Sequence, residues 1–336
     1  MRSALRIDLG ALRRNARRLL DALEGAELWA VVKADGYGHG AADVARAALE
    51  AGASMLCVVT VPEALALRQR FREARILVMG PTEEVGVARE ARLELVVGEG
   101  RIPEGLPVHL KLDTGMGRFG YRELPEPTGN VVALMTHLAT ADSDPAFAAE
   151  QFARFRAATD VYPGLTRHAA NSAAALRLPA ARFDAARCGV ALYGLSPFGG
   201  DPGDDGLEPV LGWRSRLAQV KQLQPGESTG YGRRFVAERP TWVGLVPVGY
   251  ADGFRRDLTG TEVLVADERC RAVGTVSMDS FAVELPRELP VGETVTLIGE
   301  GLLVEEHARK AGTINYEITS RIESSPERAE REVVDA

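Results

Sequence analysis

Residues 28–40 read Leu28-Trp29-Ala30-Val31-Val32-Lys33-Ala34-Asp35-Gly36-Tyr37-Gly38-His39-Gly40. The apolar run before Lys33 reads as a buried strand. The glycines after it read as a tight, open loop, and the alanine-rich residues 41–51 as a helix. The stretch is one βα unit, and outward from it the unit repeats. A helix over 9–23 comes before, with Leu12, Leu19, Leu20 and Leu23 at helical spacing. Afterwards come a strand at 55–59, a helix at 62–71 opened by Pro62, a strand at 76–79 and a helix near 82–90. Strands at 93–97, 108–112 and 131–138, a helix at 146–159, a strand at 168–171, a helix at 172–178 and a strand at 188–193 complete the series. Eight strands alternating with helices predict parallel pairing and a closed TIM-type (β/α)8 barrel. An open doubly wound sheet is the alternative.

The pattern changes at the turn-rich residues 201–206. Beyond them strands dominate, at 217–220, 241–248, 262–265, 271–276, 281–285 and 294–298, with one helix at 304–311. The expected fold is therefore α/β, a barrel over 1–210 followed by a β-rich C-terminal domain over 211–336. No internal repeat or low-complexity tract interrupts it.

Composition excludes several classes. With 46% hydrophobic and 26% charged residues the chain is ordinary for a globular protein. A net charge of −7 argues against nucleic acid as a partner. No apolar stretch approaches the roughly 20 residues of a membrane helix, and the N-terminus has no signal-peptide core. Cys57, Cys188 and Cys270 are scattered and form neither a disulfide framework nor a metal site. The barrel histidines lack metal-ligand spacing, so no metal is expected. A cytoplasmic protein, with no membrane partner, is the simplest expectation.

The chain has only four lysines, Lys33, Lys111, Lys221 and Lys310, against 36 arginines. Arg keeps its proton, whereas a Lys amine can become neutral and nucleophilic. A Lys at the C-terminal end of a strand, beside a loop that backbone can use to approach a ligand, suits Schiff-base chemistry. A lysine snorkelling from a strand end is the bland alternative. Barrel chemistry sits at the C-terminal ends of strands, and polar residues gather there: Lys33 and Tyr37, residues 111–118, His137, His168 with Asn171 and Ser172, and Arg187. Asn171 and Ser172 also read as a helix cap, and a lone histidine such as His137 has a bland reading as core.

Seven segments together resemble the alanine racemase family: residues 31–40, 111–120, 171–174, 187–194, 249–253 (Gly249-Tyr250-Ala251-Asp252-Gly253), 277–279 and 314–317. The resemblance spans nearly the whole chain. It implies a pyridoxal 5'-phosphate enzyme that interconverts L- and D-alanine through an aldimine, supplying D-alanine for cell-wall peptidoglycan. It also implies a homodimer, in which the β-rich domain of one subunit covers the barrel mouth of the other.

The same resemblance assigns roles. Lys33 would hold the cofactor and serve one face of the substrate, and Tyr250 the other. A free tyrosine titrates near pH ~10, so Tyr250 needs neighbours that favour phenolate, which the family places at His137 and Arg187. Arg187 would also face the pyridine nitrogen as a permanent donor. Tyr37, Asn171, Ser172, Gly189, Val190 and Tyr316 resemble the cofactor-binding shell. Arg118 would hold the substrate carboxylate, with Met278 and Asp279 nearby. Lys111 matches a lysine that is carbamylated in many members; a free Lys111 paired with Asp113 is the alternative.

Ser277 stands where some members have Cys, the chain is somewhat short, and the entry-corridor Tyr is missing from residues 259–263. That last departure bears on substrate breadth. A serine or broad-specificity racemase is the main rival. A decarboxylase of this fold would lack the 249–253 segment, and a cofactor-carrier protein would lack residues 211–336.

Overall fold

The computed structural model describes residues 2–335, and these form two compact units. One contains Ala11–Glu208. The other joins the residues through Gly10 to those from Pro209 onward.

The larger unit is a closed parallel barrel. With Ala4–Asp8 as β1, its strands are β2 (Glu27–Val31), β3 (Met55–Val58), β4 (Arg75–Val78), β5 (Glu94–Val97), β6 (Val108–Lys111), β7 (Val131–Met135), β8 (Thr166–His168) and β9 (Ala185–Cys188), with β9 pairing back to β2. Leu28, Trp29 and Ala30 are wholly buried, which is why β2 reads as an unbroken apolar run. Helices begin where local chemistry starts them. Thr60 caps Val61–Arg70 through a reciprocal bond with Glu63, and Pro62 lies in the first turn. Asp144 caps Pro145–Thr159 by accepting from Ala146 N and Phe147 N, and Pro145 lies in the first turn.

The barrel replaces the open-sheet alternative, and its last two strands end earlier than the sequence suggested. β8 stops at His168 because Asn171 takes up the capping role, accepting from Ala174 N at 3.0 Å. Residues Val190–Tyr193, expected as strand, form a 3-10 turn. The Ser172 hydroxyl accepts from Gly189 N and Ala191 N there, so those donors are lost to a ladder.

The second unit is built on a nine-stranded sheet. Its further strands are β10 (Leu211–Arg216), β11 (Gln219–Leu223), β12 (Ser228–Thr229), β13 (Phe235–Val236), β14 (Thr241–Val246), β15 (Glu262–Val265), β16 (Glu268–Val273), β17 (Phe281–Leu285), β18 (Thr294–Ile298) and β19 (Glu330–Val334). The order is β11-β14-β17-β16-β15-β18-β10-β1-β19, and β12 and β13 form a separate ribbon. The N-terminal strand β1 lies in this sheet, antiparallel to β10 and parallel to β19. The expected boundary of 1–210 puts residues 2–10 with the barrel, whereas they pack with the β-rich unit. Leu5 and Ile7 are fully buried between exposed or half-buried neighbours, a period-two signal too short to stand out before a strong helix.

Candidate active site

Lys33 sits where β2 breaks into an unusual turn. Ala34, Asp35 and Gly36 have φ of 51°, 50° and 63°, and Tyr37 follows at 55°. Four consecutive left-handed residues, three of them not glycine, disfavour the turn by roughly 1–2 kcal/mol for each side chain. Hydrogen bonds hold it in place. Glu63 accepts from Ala34 N at 2.7 Å with one oxygen and from Val59 N and Thr60 N with the other. Asp35 accepts from Ala41 N at 2.8 Å. One carboxylate thus starts a helix and fixes the backbone beside Lys33. Burial, then the charge of Arg118, push the Lys33 amine below its ordinary pKa, and Glu63 only partly opposes them. A neutral amine is the nucleophilic form.

Tyr37 leads from this turn to a second feature. Its ring packs on Tyr193 at 4.9 Å, and Tyr193 donates to the Val31 carbonyl at 2.9 Å. A Cβ at Gly189 would lie 2.5 Å from the Tyr37 hydroxyl oxygen, so only glycine lets the backbone approach it. Ser172 Oγ lies 3.1 Å from Gly189 N. Two hydroxyls and the Gly189–Val190 backbone therefore converge on one small cradle. Asn171 stands behind it as the helix cap.

Arg187 is 4% exposed. Its guanidinium donates to His168 Nδ1 at 2.7 Å and to His137 Nδ1 at 3.3 Å. Burial lowers its pKa to about 10. His137 is driven down to about 3, first by burial and then by Arg187, Lys111, Arg118 and Lys33. It therefore stays neutral at physiological pH. Lys111 is 5% exposed, and burial followed by Arg118 and Arg187 brings its amine to about 8. It lies 5.3 Å from the Phe119 ring centre.

No Lys111–Asp113 ion pair forms. The Asp113 carboxylate instead accepts four backbone N–H groups, from Gly115, Met116, Gly117 and Arg118, at 2.8–3.1 Å. That knot fixes the loop carrying the exposed Arg118.

Tyr250, Met278, Asp279 and Tyr316 lie in the β-rich unit. Tyr250 opens a 3-10 turn that runs alongside Met278: Tyr250 N donates to Ser277 O at 3.1 Å and Ala251 N to Met278 O at 3.0 Å. A Cβ at Gly249 would collide with the Ser277 and Met278 backbone. Buried Asp252 accepts from Gly249 N at 2.8 Å and pairs with Arg2 and Arg328. Arg328 also holds Asp279 at 2.7 Å. Both chain ends thus clamp this turn. Tyr250 and Met278 are 44% and 52% exposed. Tyr250 lines a cavity of about 970 Å³ with Arg234, Arg255, Arg256, Arg321 and Glu317. Tyr316 lies in the helix Asn315–Ser320, which the sequence reading missed.

Structure brings together, within the barrel, Lys33, Tyr37, Lys111, Arg118, His137, Ser172, Arg187, Gly189 and Val190. Glu63, Glu94 and His109 are not among the sequence-predicted residues, and Asp252 enters there only within the segment 249–253. Glu94 and His109 stand as polar residues inside apolar strands, which is the one local signal of their role.

Comparisons with known proteins point to one family. The family model for the alanine racemase N-terminal domain matches residues 7–197, and that for the C-terminal domain matches residues 210–330. Alanine racemase of Geobacillus kaustophilus is 41% identical, covering 94% of this chain and 91% of that protein. The crystal structure of alanine racemase from E. faecalis superposes with a TM-score of 0.91 at 36% identity, covering 99% and 98% of the two chains. That of the Bacillus anthracis enzyme with bound L-Ala-P gives 0.89 at 34% identity, covering 99% and 95%. The chain belongs to the alanine racemase family.

Proposed function

We propose that the protein interconverts L- and D-alanine with pyridoxal 5'-phosphate, using Lys33 and Tyr250 as the two proton-transfer groups. The observation that carries this is the desolvated Lys33 amine, held by a strained turn beside the glycine-walled cradle. The residues fit the cofactor. The Tyr37 and Ser172 hydroxyls and the Val190 N–H offer donors of phosphate-binding type, with the Gly189 N–H, now given to Ser172 Oγ, able to turn to the phosphate, and a wall that a Cβ would fill closes the cradle. Arg187 offers a permanent donor for the ring nitrogen. When bound, the cofactor delocalises the electron pair left at the substrate α-carbon.

Each protein group then has a task. Lys33, with its depressed pKa, would hold the cofactor aldehyde at rest and, once the substrate amine takes its place there and frees the lysine amine, would exchange a proton at one face of the α-carbon. Tyr250 exchanges a proton at the opposite face through its phenol oxygen. His137, kept neutral, accepts from Arg187 at Nδ1 and offers Nε2–H outward. Arg118, on its Asp113-knotted loop, takes the substrate carboxylate with a forked pair of N–H donors. In a site shared between subunits, the Met278 backbone and Asp279 would flank that carboxylate and Tyr316 would hold the cofactor phosphate, as the family resemblance implies. Lys111, near neutrality and without an acidic partner, reacts with carbon dioxide to give an anionic carbamate that orients Arg118.

Tyr250 and Met278 present large exposed surface, which supports a homodimer whose two sites are shared between subunits. Among the described residues no helix is long and apolar enough to cross a membrane. A cytoplasmic role supplying D-alanine for peptidoglycan accords with that.

Incubation with single L-amino acids tests the proposal. D-alanine should form from L-alanine far faster than D-products form from bulkier substrates. Equal turnover of serine or larger side chains would replace alanine with a broad specificity, a reading the missing corridor Tyr keeps in play. Release of carbon dioxide would instead mark a decarboxylase. Tyr250→Phe should reduce racemisation by a factor of 10² or more, and near-normal rates would assign that face to another group.

A further inference from the structure

All the hydrogen bonds of the Arg187 guanidinium end on neutral acceptors: His168 Nδ1, His137 Nδ1 and the carbonyls of Thr136, His168 and Ala169. A buried cation without an anion is unfavourable. The carboxylate that answers it lies two imidazoles away. A guanidinium only donates, so His168 Nδ1 accepts and its proton sits on Nε2. His168 Nε2 lies 3.0 Å from His109 Nδ1, which must then accept. His109 therefore carries its proton on Nε2, 2.8 Å from Glu94 Oε2. Every bond in this line points from Arg187 toward Glu94, and a single tautomer for each ring satisfies it. Arg75 closes the far end with two bonds to Glu94, at 2.8 and 3.1 Å. Trp29 packs on both rings, at 4.4 and 5.6 Å.

The line occupies the barrel interior. His109 and His168 are 0% exposed and Glu94 is 7% exposed. Barrel interiors are ordinarily filled by layers of branched apolar side chains, and apolar replacement of buried ionic groups is often neutral or stabilising. Stability alone does not explain these residues.

We propose that Glu94 is a remote positioning residue for the reaction: through His109 and His168 it holds the Arg187 guanidinium in place and supplies the buried negative charge that this cation lacks. The proposal rests on the reading that Arg187 faces the cofactor ring. Both histidines are held below their usual pKa, first by burial, as neutral links require. The other ionisable groups facing the line are Arg75 and Glu27 at its far end, Cys57 and Cys188 beside Arg187, and His137 with Lys111 toward the mouth.

Glu94→Gln keeps an acceptor for His109 and removes only the charge. The local potential becomes more positive, so groups at the mouth lose protons at lower pH. In the holoenzyme we expect both limbs of the pH–rate profile to move toward acid by about half to one pH unit, and Tm to fall because Arg187 and Arg75 lose the charge that balances them. Glu94→Asp should return the limbs toward the parent position. Independently of activity, 15N NMR of the five histidines should show His109 and His168 as neutral Nε2–H tautomers from pH 5 to 9. Unmoved limbs in a folded Glu94→Gln enzyme, or either ring titrating near 6.5 in the parent, would overturn the proposal. If Glu94→Gln does not fold, the parent tautomers decide. A parent protein without a cofactor chromophore would sink the assignment of function instead, leaving the histidine result to judge the line.

Discussion

Gly189→Ala is the sharpest steric test of the cradle. The backbone at Gly189 has φ of −113°, so alanine needs no left-handed conformation there. The obstacle to a side chain is space. The new Cβ would lie 2.5 Å from the Tyr37 oxygen, 2.9 Å from Cζ and 3.3 Å from Cε2. The ring must move by about 1 Å to reach ordinary contact distance. It cannot move freely, because Tyr193 packs against it at 4.9 Å and Tyr37 belongs to the left-handed turn. Overpacking of this kind disfavours a structure by about 1–3 kcal/mol, and the displaced hydroxyl is one of the cradle's donors. Equilibrium titration of the apoprotein with pyridoxal 5'-phosphate should therefore show Kd raised by roughly 5- to 150-fold. Far-UV circular dichroism should be unchanged. Affinity within twofold of the parent, in a folded variant, would refute the placement of the phosphate between Tyr37 and Gly189.

Three further outcomes are expected. Lys111 has its folded pKa lowered to about 8 from 10.5. Below about 8 both folded and unfolded chains carry its proton, and the native state bears the full penalty of burying the charge. Between about 8 and 10.5 the native state releases the proton first, so stability rises with pH, by up to roughly 3 kcal/mol. In carbonate-free buffer, urea unfolding at pH 8 and pH 10 should show this gain in the parent relative to Lys111→Met, and equal responses would contradict it. Added 13C-bicarbonate should give a carbamate signal in the parent but not in the variant. For the shared sites, mixing Lys33→Ala with Tyr250→Phe subunits should restore about a quarter of parental activity, since half the random dimers then hold one intact site. Zero recovery after verified subunit exchange would place both groups of a site in one chain.

Much of the fold was legible because the barrel strands are short apolar runs separated by capped or proline-opened helices. Residues 262–265, 281–285, 294–298 and 304–311 match observed elements end for end. The failures have physical causes. β1 and β19 join the β-rich sheet through partners more than 200 or 300 residues distant, and no local pattern carries that information. Residues 190–193 are as apolar as a strand, yet Ser172 draws the backbone donors of Gly189 and Ala191 away from the ladder.

The site divides in the same way. Lys33 was conspicuous as a rare lysine at a strand end, and Asn171 as a cap. The left-handed run at 34–37 was only half visible, since Gly36 announces it whereas Ala34, Asp35 and Tyr37 do not favour it. Glu63 could be read as part of a capping box but not as the acceptor for Ala34 N, which needs the neighbouring βα unit in place. Glu94 and His109 gain meaning only when barrel closure brings them into one line with His168 and Arg187.

The central claim is that the Lys33 amine bonds reversibly to the cofactor aldehyde. Borohydride reduction of the holoprotein, followed by peptide mapping, tests it most directly. The pyridoxyl label should appear on the peptide containing Lys33, with loss of the visible chromophore. A label on Lys111, Lys221 or Lys310, or no label at all, would contradict the account.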